Sequence, residues 1–221
     1  MPHTLSADPT LDEIRAALAP MIADAAAFDG FSPLAIANAA RSAGVDPDVA
    51  ALAFPGGAAD MVDAWFAHVD AVMLEQLPAE TLAAMKIRDR ITALVEARLA
   101  ILAPARESLR RALAVLALPT NVPLAARLGW RAADAMWAAA GDTATDFNHY
   151  SKRAILGSVY AATMAVFLND ESEGHADTRA FLARRIAGIM RFEGWKHRRA
   201  AATRDRPSLS RFIGRLRYSG K

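Results

Sequence analysis

The sequence contains no cysteine. Disulfides and thiolate chemistry are excluded, which fits a reducing compartment. Strand signals are missing too: no alternating apolar–polar run is bounded by Asn-Gly or Asp-Gly. The first thirty residues carry Asp8, Asp12, Glu13, Asp24 and Asp29, and no basic start leads into an apolar run. No secretory signal peptide is therefore expected. The uncharged apolar run 154–168 is shorter than the ~20 residues a membrane-spanning helix needs. G-x-S-x-G, P-loop and G-x-G-x-x-G motifs do not occur, so nothing nominates a nucleophile or a phosphate cradle. His3, His68, His149, His175 and His197 form no H-x-x-x-H or E-x-x-H pair, so no metal site and no other cofactor is expected. Glu171, Glu173 and His175 fall together in a stretch that reads as a solvated turn.

What is present is apolar and helix-forming. Hydrophobic residues make up 53% of 221 positions, enough to fill a sizeable core. Much of that share is alanine, with leucine, isoleucine and valine, which favours helices. The net charge of +2 hides a gradient. Residues 1–85 carry only Arg15 and Arg41 against twelve acids, residues 86–190 are modestly basic, and residues 191–221 hold ten basic groups against Glu193 and Asp205. An acidic head and a basic tail suggest different partners for the two ends.

Helical spacing organises the chain. Leu11, Ile14, Leu18, Met21, Ile22 and Ala25 line a first helix over 11–28, which Pro20 should kink or interrupt. Ser32 can cap a second helix that begins at Pro33, and Gly44 ends it. Asp46-Pro47 starts a short third helix through Phe54, giving a helix-turn-helix pattern. Helices are expected over 58–76, 80–102, 104–118 and 124–140. The run from Ala154 to Leu168 is apolar on every side, which predicts an interior helix. Within it Gly157, Ala161 and Ala165 form a bare stripe, fit for a close neighbouring helix or a bound apolar ligand. Asn169 to Gly174 breaks the chain, and a last large helix follows with Phe181, Leu182, Ile186, Ile189 and Met190 on its apolar side.

The turn A-x-x-A-G-V and the following F-P resemble the amino-terminal module of TetR-like repressors. The words D-F-N-x-Y-S-K-R, V-Y-A-A-T, N-D-E-S, T-R-A-F-L and R-R-I resemble the ubiquinone (coenzyme Q) biosynthesis accessory family, whose members are lipid-binding proteins with a TetR-like fold. The resemblance runs from about Ile14 to Lys196. It implies an all-α, TetR-like protein in three parts: a degenerate helix-turn-helix module over 1–54, a helical lipid-binding bundle over 55–197 continuous with it, and a basic tail over 198–221.

DNA binding is disfavoured by charge. Between Ser42 and Met85 there is no lysine or arginine, and phosphate contacts need cations on the docking face. A recognition helix reading DPDVAALAF offers no arginine for guanine and no amide for adenine.

The segment Asp146 to Arg153 mixes aromatic and charged side chains. Read alone, it is either an ordinary capped helix end or a binding hot spot. The resemblance implies the second, a patch that docks the di-iron hydroxylase of ubiquinone synthesis. Asp146, Tyr150 and Arg153 match the family pattern, whereas His149 stands where relatives usually have tryptophan.

In the tail, Leu209, Phe212, Ile213 and Leu216 fall at i, i+3, i+4 and i+7, with Arg211 and Arg215 opposite and Arg217 on a flank. This is a short basic amphipathic helix, suited to weak, reversible membrane attachment or to docking on the protein's own core.

The expectation is thus a non-catalytic protein that binds an isoprenoid quinone intermediate or a phospholipid and presents quinone precursors to a hydroxylase. It would work as a homodimer through its last large helices, peripheral on the cytoplasmic face of a bacterial inner membrane, without nucleic acid. The alternative is a TetR-type ligand-responsive regulator. The pocket should lie between the helix over 124–140 and the two helices that follow. Its candidate lining is Trp130, Met136, Trp137, Val159, Tyr160, Met164, Phe167, Phe181, Ile186 and Met190, each of which could equally be plain core.

Overall fold

The computed structural model describes residues 6, 8–143 and 147–189, the side chains of 147 and 148 excepted. The helices are α1 Leu11–Asp29, α2 Pro33–Ala43, α3 Pro47–Leu52, α4 Ala58–Gln76, α5 Ala79–Ala83, α6 Ile87–Leu102, α7 Arg106–Leu116, α8 Val122–Ala139 and α9 Phe147–Phe167. A tenth, α10, spans 176–189. No strand occurs among the described residues. The chain divides into two compact units, Met1–Leu182 and Ala183–Lys221. Of the second, only 183–189 are described.

Local chemistry sets the helix starts. Thr10 and Glu13 form a reciprocal capping box at α1: Glu13 N–H donates to the Thr10 hydroxyl, and Thr10 N–H donates to the Glu13 carboxylate at 2.8 Å. Ser32 accepts from Ala35 N–H ahead of Pro33, and Asp46 accepts from Asp48 N–H ahead of α3. Gly44 stops α2 at φ 71°, a left-handed conformation that costs glycine nothing.

Two expectations need correction here. α1 runs uninterrupted through Pro20. Proline frees the carbonyl four residues earlier, and that residue, Ala16, is exposed, so water can serve it. Leu18 and Ile22, both fully buried, hold the helix on either side. Conversely, the single helix expected over 80–102 is two, because Lys86 takes an extended conformation (φ −70°, ψ 151°). The Arg90 side chain stabilises the break. It donates to the carbonyls of Met85 (2.9 Å) and Ala83 (3.1 Å), and to Ala140 beyond α8 (2.8 Å).

α1 packs on α2, α4 and α7, while α4 also meets α6 and α8, and α8 pairs with α9. The core between them holds Ile14, Leu18 and Ile22 of α1, Met61, Val69 and Met73 of α4, and Leu94 and Leu102 of α6. Each such side chain contributes ~1.5–3 kcal/mol of burial.

Much of the charge gradient is resolved inside this frame. Asp63 and Asp70, one heptad apart on α4, meet arginines from three other helices. Arg15 and Arg131 reach Asp63, and Arg98 and Arg131 both reach Asp70. Acids of the head therefore partner bases of the middle segment, rather than all waiting for an outside partner.

Candidate functional site

α9 is less enclosed than its composition predicts. Leu156, Val159, Tyr160, Thr163 and Phe167 are buried, but Ala154, Ser158, Ala161 and Ala165 on the other side are exposed. Small side chains can face water at little cost, so an uncharged run need not be interior. The bare stripe meets a close neighbouring helix, one of the two uses foreseen for it. A Cβ on Gly157 would stand 3.5 Å from the Gly129 carbonyl oxygen, which shows how closely α8 approaches α9. Further along, Gly157 and Ala161 border a cavity of about 260 Å³.

That cavity lies among α4, α6, α7, α8 and α9. Its deep end is formed by Phe66, Arg98, Leu128, Ala132 and Tyr160, all buried. Its outer end is formed by Leu113, Ala117, Ala125 and Ala161, which are half-buried or exposed. The volume sits near the lower end of small-molecule pockets, ~300–1,000 Å³. Apart from Arg98 and the Tyr160 hydroxyl, the side chains around it are apolar.

Arg98 is 1% exposed, in the middle of the apolar stripe of α6. Its guanidinium pairs with Asp70 of α4 and lies over the Tyr160 ring, 5.0 Å from the centroid. Burial alone would lower its pKa, but Tyr160 and Asp70 outweigh that and hold it above the ordinary value. Arg98 Nε and the Tyr160 hydroxyl are both fully buried.

The expected lining residues divide. Tyr160 and Met164 border the cavity. Met136, Trp137, Val159 and Phe167 are buried outside its wall, as core. Phe181 is half-buried and does not border the cavity, whose wall includes residues of α6 and α7; Ile186 is a residue of the second unit. Met190 lies outside the described residues. Trp130 is 38% exposed, on the outer side of α8. There it joins His149 and Tyr150 in an aromatic surface cluster, with ring centroids 6.4 and 6.0 Å away. Sequence reasoning missed Arg98, although a charged residue between Leu94, Val95, Leu99 and Leu102 is the available signal.

The segment read as a docking patch also divides. Tyr150 is 60% exposed and His149 half-buried, beside Trp130. Arg153 is not a surface residue. It is buried and donates to Asp134, to Asp142 (3.2 Å) and to the His149 carbonyl (3.1 Å). Lys152 also binds Asp142, at 2.6 Å, and its ammonium sits over Trp137. This cluster fixes the start of α9 against the end of α8. Asp146 and the tail residues Leu209, Arg211, Phe212, Ile213, Arg215, Leu216 and Arg217 lie outside the described residues.

The N-D-E-S turn carries more structure than a solvated loop. The Asp170 carboxylate accepts from Ser172 N–H (2.9 Å), the Ser172 hydroxyl, Thr178 N–H (2.8 Å) and the Thr178 hydroxyl. Hydrogen bonds from Ser172 and Thr178 hold its carboxyl far below the usual carboxylate range, against a smaller opposing effect of burial. Beside it, Arg106 donates to the Asp170 carbonyl and lies within 3.0 Å of His175 Nδ1, so His175 is engaged by the fold. No group of three histidine, aspartate or glutamate side chains among the described residues could hold a metal ion. No single described helix is long and apolar enough to cross a membrane.

Comparison with known proteins adds three findings. A family model described as COQ9 matches residues 122–193. Among curated proteins, the ubiquinone biosynthesis protein COQ9, mitochondrial, of Rattus norvegicus is 44% identical over 96 residues, and that of Homo sapiens 43% over the same length. Both matches cover 43% of this chain, and the chain spans only 31% and 30% of the length of those relatives. The Drosophila melanogaster protein of the same name is 29% identical over 80% of this chain and 55% of its own length. Among solved structures, the TetR transcriptional regulator from Nitrosomonas europaea superposes with a TM-score of 0.63 at 23% identity, covering 79% of this chain and 96% of that one. The fold is therefore all-α and TetR-like, and the segment 122–193, which includes α8, α9 and the Asp170 turn, is similar to the COQ9 family.

Proposed function

We propose that this protein serves ubiquinone biosynthesis as a non-catalytic lipid-binding accessory, holding an isoprenoid quinone intermediate or a phospholipid chain and presenting quinone precursors to a hydroxylase. The observation that carries this reading is the apolar cavity beside α9, with a buried inner end and an outer end bordered by alanines. The names of the curated relatives supply the pathway. The cavity is small for a long polyprenyl chain, so the chain would leave through the outer end. The exposed Trp130–His149–Tyr150 cluster is the proposed hydroxylase contact; exposed aromatics in a group are what docking hot spots use. The same proposal includes a homodimer through the last large helices and weak membrane attachment by the basic tail.

The test is native mass spectrometry of protein purified from membranes, with extracted lipids identified. Quinone intermediates or phospholipid at near one per protomer is the expected result. Protein that carries no lipid, and takes none from quinone-loaded vesicles, would defeat the proposal.

The likeness to a TetR regulator raises a second reading, a ligand-responsive DNA-binding protein. The surface of α3 speaks against it, because Val49 and Leu52 are exposed there beside Asp46 and Asp48, with no cation from residue 42 to 85. Sequence-dependent retention of duplex DNA at low salt would favour the regulator instead.

A further inference from the structure

The turn between α7 and α8 lacks the charge that surface turns usually carry. From residue 112 to 126 there is no charged side chain. Leu118 and Val122 are more than half exposed, and Pro119 and Pro123 beside them are exposed too. Single apolar residues on a surface need no explanation, but four together at one tip do. The tip is a corner: the helical stretches Ile87–Leu116 and Pro119–Ala139 meet there at 90°. It also spends its polar groups on itself. Leu118 N–H donates to the Val115 carbonyl (3.3 Å), Asn121 N–H to the Leu118 carbonyl (2.8 Å), and the Asn121 side-chain amide to the Val115 carbonyl (2.8 Å). The two prolines have no N–H to satisfy. Such a turn loses little when water is taken from it.

Charge says what the turn meets. Between residues 103 and 133 five arginines stand against Glu107 alone. Arg110 and Arg127 are exposed, and the acid that Arg127 reaches, Asp63, is shared with Arg15 and Arg131. At the helical rise per residue these two lie about 8–12 Å back from the tip. An apolar tip with cations that far behind it matches the acyl boundary and the anionic headgroups of a bilayer. The same helix ends carry Ala117 and Ala125, at the outer end of the cavity. We infer that the α7–α8 turn is a membrane contact in its own right, which sets Leu118, Pro119, Val122 and Pro123 into the surface of an anionic bilayer and holds the outer end of the cavity against it. The second half of this statement deepens the lipid-binding reading and rests on it: an apolar ligand passes between bilayer and cavity without crossing water.

The chain has no cysteine, so a single introduced one can carry a fluorophore. In the full chain, Thr120→Cys in the turn and Ser42→Cys at the exposed end of α2 are labelled with the environment-sensitive dye NBD. Each is mixed with phosphatidylcholine–phosphatidylglycerol vesicles. The expected result is a blue shift at position 120, quenched by spin-labelled lipid, and none at position 42. Leu118→Ser combined with Val122→Ser should weaken partition onto these vesicles about tenfold, the worth of two half-exposed aliphatic side chains. The melting temperature should hold, because neither side chain is core. Vesicle binding with a silent label at position 120 overturns the contact and leaves attachment by the basic tail standing. Equal shifts at both positions mean unspecific adsorption and overturn it as well. A blue-shifted label at position 120 without vesicles, lost on dilution, makes a second copy of this chain the occupant in place of lipid. Protein that binds no vesicles overturns this contact and the tail attachment together. Lipid recovered in the native mass spectra is a separate readout, so the carrier reading and this contact can fail independently.

Discussion

Replacing Arg153 by alanine should destabilise the protein without acting through any partner. The arginine side chain is 4% exposed, and Asp142, which it shares with Lys152, is 5% exposed. Removing one member of a buried pair typically costs ~3–5 kcal/mol, because the other charge stays behind unpaired. Two features reduce that here. Asp142 keeps Lys152, and Asp134 is 48% exposed, so water can take over its lone pairs. About 2–3 kcal/mol is the reasoned loss, with some of it from the orphaned His149 carbonyl. For a chain of this size that lowers the melting temperature by roughly 5–10 °C. Urea unfolding of the wild type and Arg153→Ala, followed by circular dichroism, measures it as a drop in midpoint at unchanged slope. A loss under about 0.5 kcal/mol would be the behaviour of a surface pair and would refute the structural role. If such a variant stayed stable yet lost affinity for a hydroxylase, Arg153 would belong to the docking patch after all.

Two further outcomes follow from the same region. Asp170→Asn should lower stability at neutral pH, and the gap should close in acid. The folded carboxyl titrates below the unfolded value of about 3.9, so its contribution is full above that pH and is lost as pH falls through the lower folded value. Melting curves of both proteins from pH 7 to pH 2 check this; a gap that widens toward acid contradicts it. Gly157→Ala should raise stability by about 0.5–1 kcal/mol, since a helical glycine is replaced and the new Cβ meets only ordinary contacts, the nearest at 3.5 Å. A lowered denaturation midpoint would mean that α8 and α9 are closer than they stand here.

The sequence by itself determined the helices, because caps and periodicity are local. Ser32 with Pro33, and Gly44, announce their roles within four residues of where they act. The family words also lie in the chain and need no folding to be read. Where reading failed, the deciding partner was distant. The break at Lys86 depends on Arg90 reaching Ala140, fifty residues away. Arg153 looked like a docking residue because its acids, Asp134 and Asp142, come together with it only when α8 folds against α9. The cavity is the strongest case. Tyr160 and Met164 could be named from the stripe of α9, but Arg98, Leu113 and Phe66 sit on helices whose spacing looks like any other core. Which face of a helix meets a neighbour, and where two faces leave a gap, is a property of several elements at once. Only the packed tertiary structure could decide it.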